Sequence, residues 1–328
     1  MLNEETYFKL KWLIAKNELA NIRKRGSVNY QKPCSNTILD LHARVSGIHK
    51  GLDAVRNNKI QDWVDSLKIN LIEIDRWQPT FNTASLPDIG INWDEYEPTA
   101  LTNTISTVYE FLHTHKKRRP IIFKNDFWYF QEIIENKIEH YNNIDQNDVL
   151  IISAPFFEDF QIKNDMNKIL ETCSNLSVPV LLDLIWLPLI NNVKKLENID
   201  CIEIITHSIT KTLPIAGLKG GVCFRRKPVS KNLKTYPLGN KLGLWIFNQY
   251  VNNLSYYHVK NQLINLQKKW CELFGLEIYD FVYVGKNQKN NYFKKYSMHD
   301  GRIKDSNLIS LVPFYNNDEI LTKYLNDN

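Results

Sequence analysis

Five short apolar runs, separated by stretches of helical period, constrain this chain more than any other feature. The runs are PIIF (120–123), DVLIIS (148–153), VPVLLDL (178–184), IDCIEIITHS (199–208) and GGVCF (220–224). Each is nearly continuous in apolar residues instead of alternating, which is the pattern of strands buried on both faces. The stretches between them read as helices. FWYFQEIIENKIEHY (127–141) follows the first run, and EDFQIKNDMNKILETCSN (158–175) carries Ile162, Met166, Ile169 and Leu170 at helical spacing. Strand and helix in alternation predict an α/β fold: a mainly parallel sheet sandwiched between helices. Ligands of such sheets bind where the strands end at their carboxyl side, so the residues just after each run become the candidates for function.

The flanking parts are less regular. LKINLIEID (67–75) reads as a strand, and PTFNTASLPDIGINWDEYEP (79–98) is turn-rich and reads as a loop. Beyond Lys231, LGLWIFNQYVNNLSYYHVKNQLINLQKKWCELFG (242–275) reads as long helices with an aromatic face, more suited to core or subunit interface than to a cofactor. LEIYDFVYVG (276–285) and NLISLVPFY (307–315) read as strands of a smaller α+β unit. The expected organisation is an N-terminal segment, 1–95, packing partly with the small domain, a large domain over 96–235 and a small domain over 236–328.

Bulk properties exclude several classes. With 328 residues, 43% hydrophobic and 23% charged, the chain is long enough for one large core or two domains. Its net charge of +5 is spread thinly. The densest patch, Lys116–Arg119, reads as a solvated helix end and not as a nucleic-acid footprint. The five cysteines (Cys34, Cys173, Cys201, Cys223, Cys271) are far apart and form no CxxC, which points away from a disulfide framework or a zinc site. Cys201 and Cys223 sit in apolar strands as small hydrophobes. The first residues lack the unbroken apolar stretch of a signal peptide, and no run reaches the roughly 18 residues of a membrane span. A cytoplasmic protein with no membrane and no nucleic-acid partner is the expectation.

The strand ends carry the chemistry. Asp183 lies inside the apolar LLDLIW, where a carboxylate needs a positive partner or shifts towards its neutral form. THSITK supplies Ser208, Thr210 and Lys211, and eight positions on GLKGG places Lys219 among glycines. LTNTISTVYEFLHTH puts Thr102, Thr104 and Ser106 at the start of a helix that continues through Val108, Phe111 and Leu112. Hydroxyls and free N–H groups at a helix start make an anion site. Taken singly, each has an ordinary reading: Lys211 as a solvated lysine, Asp183 as half of an ion pair. His207 reads as structural, and His113 and His115 as solvated beside the basic patch.

As a set, these residues resemble the fold type I pyridoxal-phosphate (PLP) enzymes, and within them the aminotransferase class I/II family. That family carries S-x-S/T-K, then about eight residues later a glycine-flanked arginine. Here the pattern reads Ser208, Ile209, Thr210, Lys211, then Gly217, Leu218, Lys219, with the family's aspartate at Asp183. The resemblance covers roughly Leu101–Phe224. It implies a seven-stranded large domain binding pyridoxal 5'-phosphate, a smaller domain and a homodimer. It implies Lys211 as the Schiff-base lysine and proton carrier, and Asp183 as the partner of the pyridine nitrogen. The phosphate is implied at Thr104, Ile105, Ser106, Ser208, Thr210 and Lys219. In FKNDFWYFQ an aromatic, Phe127 before Trp128, is implied to stack on the ring.

Departures from the family bear on the reaction. Where an Asn-Pro is usual, Pro155 stands between Ala154 and Phe156, and the usual tyrosine is Trp186, which donates one hydrogen bond and accepts none. Lys219 keeps a charge but lacks the fork of arginine. Leu308 stands where members that bind a free carboxylate carry arginine. Three functions follow: an aminotransferase acting on an amine or amino-acid-derived substrate; a PLP-dependent lyase, decarboxylase or cyclase on the same fold; or a non-catalytic binding module. Retention of both Lys211 and Asp183 favours the first two.

Overall fold

The apolar runs become strands of one sheet. The computed structural model describes residues 87–101, 104–157, 159–208, 221–228, 256–286 and 308–311. The strands are β1 (Tyr96–Leu101), β2 (Arg119–Phe123), β3 (Asn136–Ile138), β4 (Asp148–Ser153), β5 (Val180–Asp183), β6 (Ile202–His207) and β7 (Gly221–Arg226). Their order across the sheet is β1-β7-β6-β5-β4-β2-β3. The run from β6 to β3 is parallel, and β7 is antiparallel to both of its neighbours. The expected mainly parallel α/β sheet is therefore the observed one. Every residue of β4 and β5 is buried, as unbroken apolar runs require.

Helices α1 (Ile105–Thr114), α2 (Trp128–Ile133) and α3 (Met166–Asn175) connect the strands. Val108 and Phe111 of α1, with Phe130 and Ile134, form one core with Ile122, Ile151, Leu181, Ile204 and Cys223 of five strands. Each such side chain contributes about 1.5–3 kcal/mol on burial. In α3 the residues at helical spacing, Met166, Ile169, Leu170 and Cys173, are buried. Ile162 is buried too, but in the loop before the helix.

Three expectations are corrected. The helix expected over 127–141 stops at Ile133, and Asn136–Ile138 pairs with β2 as an edge strand. Ile134 and Ile138 are buried and the three residues between them exposed, a spacing of four that carries no strand alternation, so the sequence pattern could not mark the edge strand. The segment expected as a loop over 79–98 contributes the start of β1. Pro98 lies within β1, which is at the sheet edge, where a missing N–H is tolerated. Cys201 lies in a 3-10 turn (Ile199–Cys201), not in the strand; the left-handed Asn198 (φ 55°) sets that turn, and β6 starts at Ile202. The strand expected at 67–75 lies outside the described residues.

Charged pairs gather at the amino edge of the sheet. Arg119 grips the buried Asp148 with two hydrogen bonds, 2.6 and 3.0 Å, so the basic patch ends in a bridge between β2 and β4. Arg226 reaches Glu95 at 2.8 Å and the backbone of Ile199 and Ile202. Arg225 on β7 donates to both oxygens of Glu110 on α1 and to Thr99 of β1. His115, expected as solvated, is instead half-buried and lies 2.8 Å from Glu203.

The described residues after 256 belong to a second compact unit. Its helix α4 (Tyr256–Phe274) ends at Gly275, whose φ of 65° suits a residue without Cβ. Leu263, Gln267, Trp270 and Cys271 share its buried face. The buried Gln267 amide donates to the carbonyls of Tyr279, Phe281 and Val284 at 2.7–3.0 Å. Strands β8 (Glu277–Ile278), β9 (Val284–Lys286) and β10 (Leu308–Ser310) form an antiparallel sheet in the order β10-β9-β8. This is the α+β pattern expected of the smaller unit, and Leu308 is fully buried in it.

The Arg225–Glu110 pair anchors α1 to the sheet with both side chains almost wholly out of water. Replacing one partner leaves a buried charge unmatched. Arg225→Met is expected to lower unfolding free energy by about 3–5 kcal/mol, and the double variant Arg225→Met/Glu110→Leu to regain most of it. Urea unfolding of the four proteins in a double-mutant cycle reads both numbers.

Candidate active site

Register across the sheet puts four strand positions in one row. Ser153 of β4 pairs with Asp183 of β5, Asp183 with Thr206 of β6, and Thr206 with Cys223 of β7. The ladder continues past the strands: the N–H of Ala154 donates to Asp183 O and that of Leu184 to Thr206 O, both at 2.8 Å. The ends of β4, β5 and β6 are thus fixed relative to one another. Asp183 is 4% exposed. Its Oδ1 accepts from the Thr206 hydroxyl at 2.8 Å and from the Ile185 N–H at 3.2 Å. Opposed strand residues point to the same face, which is why Thr206 can reach it.

The candidate anion groups lie at the same edge. Ser208 follows β6 directly and is buried. Thr104 precedes the first turn of the ten-residue α1, its side chain making no capping bond; Ile105 is half-buried and Ser106 exposed. Gly221 opens β7 between them. A Cβ at Gly221 would stand 2.7 Å from Thr104 Cγ2 and 2.7 Å from the carbonyl of His207. Only glycine lets the helix start close on the end of β6. Thr210, Lys211 and Lys219 lie outside the described residues.

Aromatic rings line the neighbouring strand ends. Phe127 stands just before α2, half-buried, with ring contacts to Phe130 (5.1 Å), Phe157 (5.4 Å) and Trp128 (5.8 Å). One side of Phe127 therefore belongs to the core. Phe157 touches Phe160 (5.5 Å), and Phe160 touches the half-buried Trp186 (5.9 Å). Phe160 is held at φ 53°, a conformation that costs a bulky residue about 1–2 kcal/mol and is sustained here by burial. Ala154 and Phe156 beside Pro155 are buried, so their side chains bring no polar group to this strand end.

Asp126 is the residue that sequence reasoning passed over. It lies between the end of β2 and Phe127, 1% exposed. Oδ1 accepts from the Phe127 N–H at 2.6 Å and Oδ2 from the Ser153 N–H at 3.0 Å. The signal was the one used for Asp183, a carboxylate at the end of an apolar run, masked here by its polar neighbours in FKNDFW. Burial pushes the Asp126 carboxyl up to about 6, offset in part by Ser153, by the Phe127 N–H and by the charge of Lys163. His207, read as structural, is buried with Nδ1 3.4 Å from Leu184 O, and burial lowers its pKa to about 4. It is neutral at ordinary pH.

No protein-family model matches the chain, and no curated protein matches its sequence. Among solved structures it is similar to an aminotransferase from Neisseria meningitidis Z2491, at 11% identity and a TM-score of 0.50 over 68% of this chain and 71% of that one. Cystalysin from Treponema denticola, whose structure contains pyridoxal 5'-phosphate, aligns at 14% identity and 0.49 over 71% and 77%. L-threonine-O-3-phosphate decarboxylase from Porphyromonas gingivalis aligns at 13% and 0.45 over 70% and 83%. At such identities the likeness is one of fold. The larger unit has the mainly parallel seven-stranded architecture of the fold type I PLP enzymes.

The two shifted groups act on stability with opposite sign. Asp126 titrates higher in the folded state than unfolded, so its contribution is full below about pH 4 and is lost as pH rises through about 6. His207 titrates lower when folded, so its contribution is present above about 6.5 and is lost as pH falls towards 4. Each is worth about 3 kcal/mol. Between pH 4 and 6.5 they nearly cancel in the native protein. Asp126→Asn removes one of the two, and its stability is expected to fall by about 3 kcal/mol from pH 7 to pH 4 more steeply than that of the native chain. Urea midpoints taken at half-unit pH steps measure the difference in slope.

Proposed function

We propose that the chain is a PLP-dependent enzyme of the aminotransferase type, acting on an amine or amino-acid-derived substrate through Lys211. The observation that carries this reading is the buried carboxylate of Asp183 at the carboxyl edge, one strand away from Ser208 and joined to it through Thr206 and the β6 backbone. The Gly221 cradle supports it: the missing Cβ lets the Thr104–Ser106 helix start meet the end of β6, where a phosphate needs N–H and hydroxyl donors from both. The residues present therefore fit the cofactor.

When bound, the cofactor supplies an electrophilic carbon for the substrate amine and an electron sink for charge developing at the neighbouring carbon. The protein's own parts follow from chemistry. Asp183, ionised, would keep a proton on the ring nitrogen, and the Thr206 hydroxyl and Ile185 N–H hold its oxygen in place. Lys211 would hold the cofactor covalently and would carry the proton at the substrate α-carbon. Thr104, Ile105, Ser106, Ser208, Thr210 and Lys219 would hold the phosphate, and Phe127 would cover a ring face. The fold also makes a homodimer the expected assembly, with sedimentation as its check.

A second reading, elimination or decarboxylation on the same fold, is favoured by the apolar flank of Ala154, Phe156 and Trp186. Keto-acid dependence of turnover separates the two. The first test is an absorbance spectrum with added PLP, before and after borohydride. The native chain is expected to show a visible band that borohydride fixes covalently, and Lys211→Ala to show none and to lose roughly 10²–10⁴-fold in turnover. Asp183→Asn is expected to keep the band and lose turnover. A native chain that shows no band is not a PLP enzyme.

A further inference from the structure

We infer that Asp126 is a positioning residue of this site: its carboxylate joins the Phe127 backbone to the end of β4 and so sets where the Phe127 ring stands. The inference rests on the PLP reading above. Strand pairing between β2 and β4 ends at Ile122 and Ile151, so β2 supplies no acceptor at the level of Ser153. Asp126 Oδ2 takes that place, 3.0 Å from the Ser153 N–H. Its other oxygen holds the Phe127 N–H at 2.6 Å. From the other side, Gln131 Nε2 donates to the carbonyl of Phe123, the last residue of β2, at 2.7 Å. The loop is thereby sewn back onto the strand it leaves.

The row that Asp126 completes is the row of the site. Ser153, which it grips, is the register partner of Asp183. A shift at Asp126 therefore moves the aromatic residue relative to the carboxylate that would face the cofactor. Burial resists ionisation of Asp126, and the N–H groups that it accepts from, with the charge of Lys163, favour it. The charged group that faces Asp126 is Lys163, from the segment before α3, its Nζ 4.3 Å over the Phe156 ring and 5.1 Å over that of Phe123. The ionised carboxylate offers an acceptor to each N–H. Once protonated, one oxygen becomes a hydroxyl and the clasp on one side weakens. Burial raises the carboxyl to about 6, so modest acidification from neutral pH reaches it.

The test is visible circular dichroism of the PLP-loaded full chain, which reports how rigidly an achiral ring is held in asymmetric surroundings. The native protein is expected to lose amplitude on acidification with a midpoint near pH 6. Asp126→Asn, which opposes two N–H donors with one acceptor and one amide donor, is expected to show low amplitude at pH 8, no midpoint near 6, and roughly tenfold weaker PLP binding. Borohydride-fixed cofactor at saturating PLP should stay stoichiometric in the variant. Amide exchange at Phe127 and Ser153 should speed up while that of β5 and β6 is unchanged. Native-like amplitude and affinity in Asp126→Asn, or a native chain with no midpoint between pH 5 and 7, overturns the inference. Should Asp126→Asn fail to fold, amide protection in the native chain decides: protection factors at Phe127 and Ser153 that do not fall on acidification relative to those of β5 and β6 overturn the inference. A native chain that takes up no PLP at all removes the cofactor reading first, a different outcome from a bound cofactor indifferent to Asp126.

Discussion

The parallel ladder from β2 to β6 is the constraint on which the rest depends. Parallel strands cannot be joined by tight turns, so every connection leaves at one edge and returns at the other. All the departures fall at the carboxyl edge, and there the backbone is least satisfied by the sheet itself. The chain answers with side chains and with ladder bonds that outlast the strands. Ala154 and Leu184 continue the pairing by one residue, and Gln131 and Asp126 complete it where β2 stops. The rigidity this confers is what lets residues far apart in sequence hold a fixed geometry.

The sheet was legible because burial on both faces leaves an unmistakable mark: β4 is DVLIIS, residue for residue. What the pattern could not resolve were elements whose sequence serves two masters. β3 is an edge strand of three residues with one buried side chain, too short to overrule the helical period around it. β1 contains Pro98, which an edge strand tolerates and an interior one does not, and edge position is a property of the assembled sheet.

At the site, Asp183 and Ser208 were legible because a polar residue inside or just after an apolar run stands out. Thr206 sits in the same run, but its role depends on register with β5, which no single strand encodes. His115 was misread for a similar reason. Its partner Glu203 lies 88 positions away on β6, and the ring of Phe111 packs on it at 4.9 Å.

Charge is distributed unequally between the two edges. Every arginine–carboxylate pair among the described residues involves β7, the segments entering β1 and β6, or the starts of β2 and β4, away from the carboxyl edge of the parallel strands. Those pairs satisfy both partners and leave little for a ligand. At the carboxyl edge the buried carboxylates Asp126 and Asp183 are held by a hydroxyl and by backbone N–H groups. Such donors orient a carboxylate without cancelling its charge. Directional donors fix the orientation of both carboxylates at the ends of β2 and β5, which is what the positioning role asks of Asp126 and the PLP reading asks of Asp183.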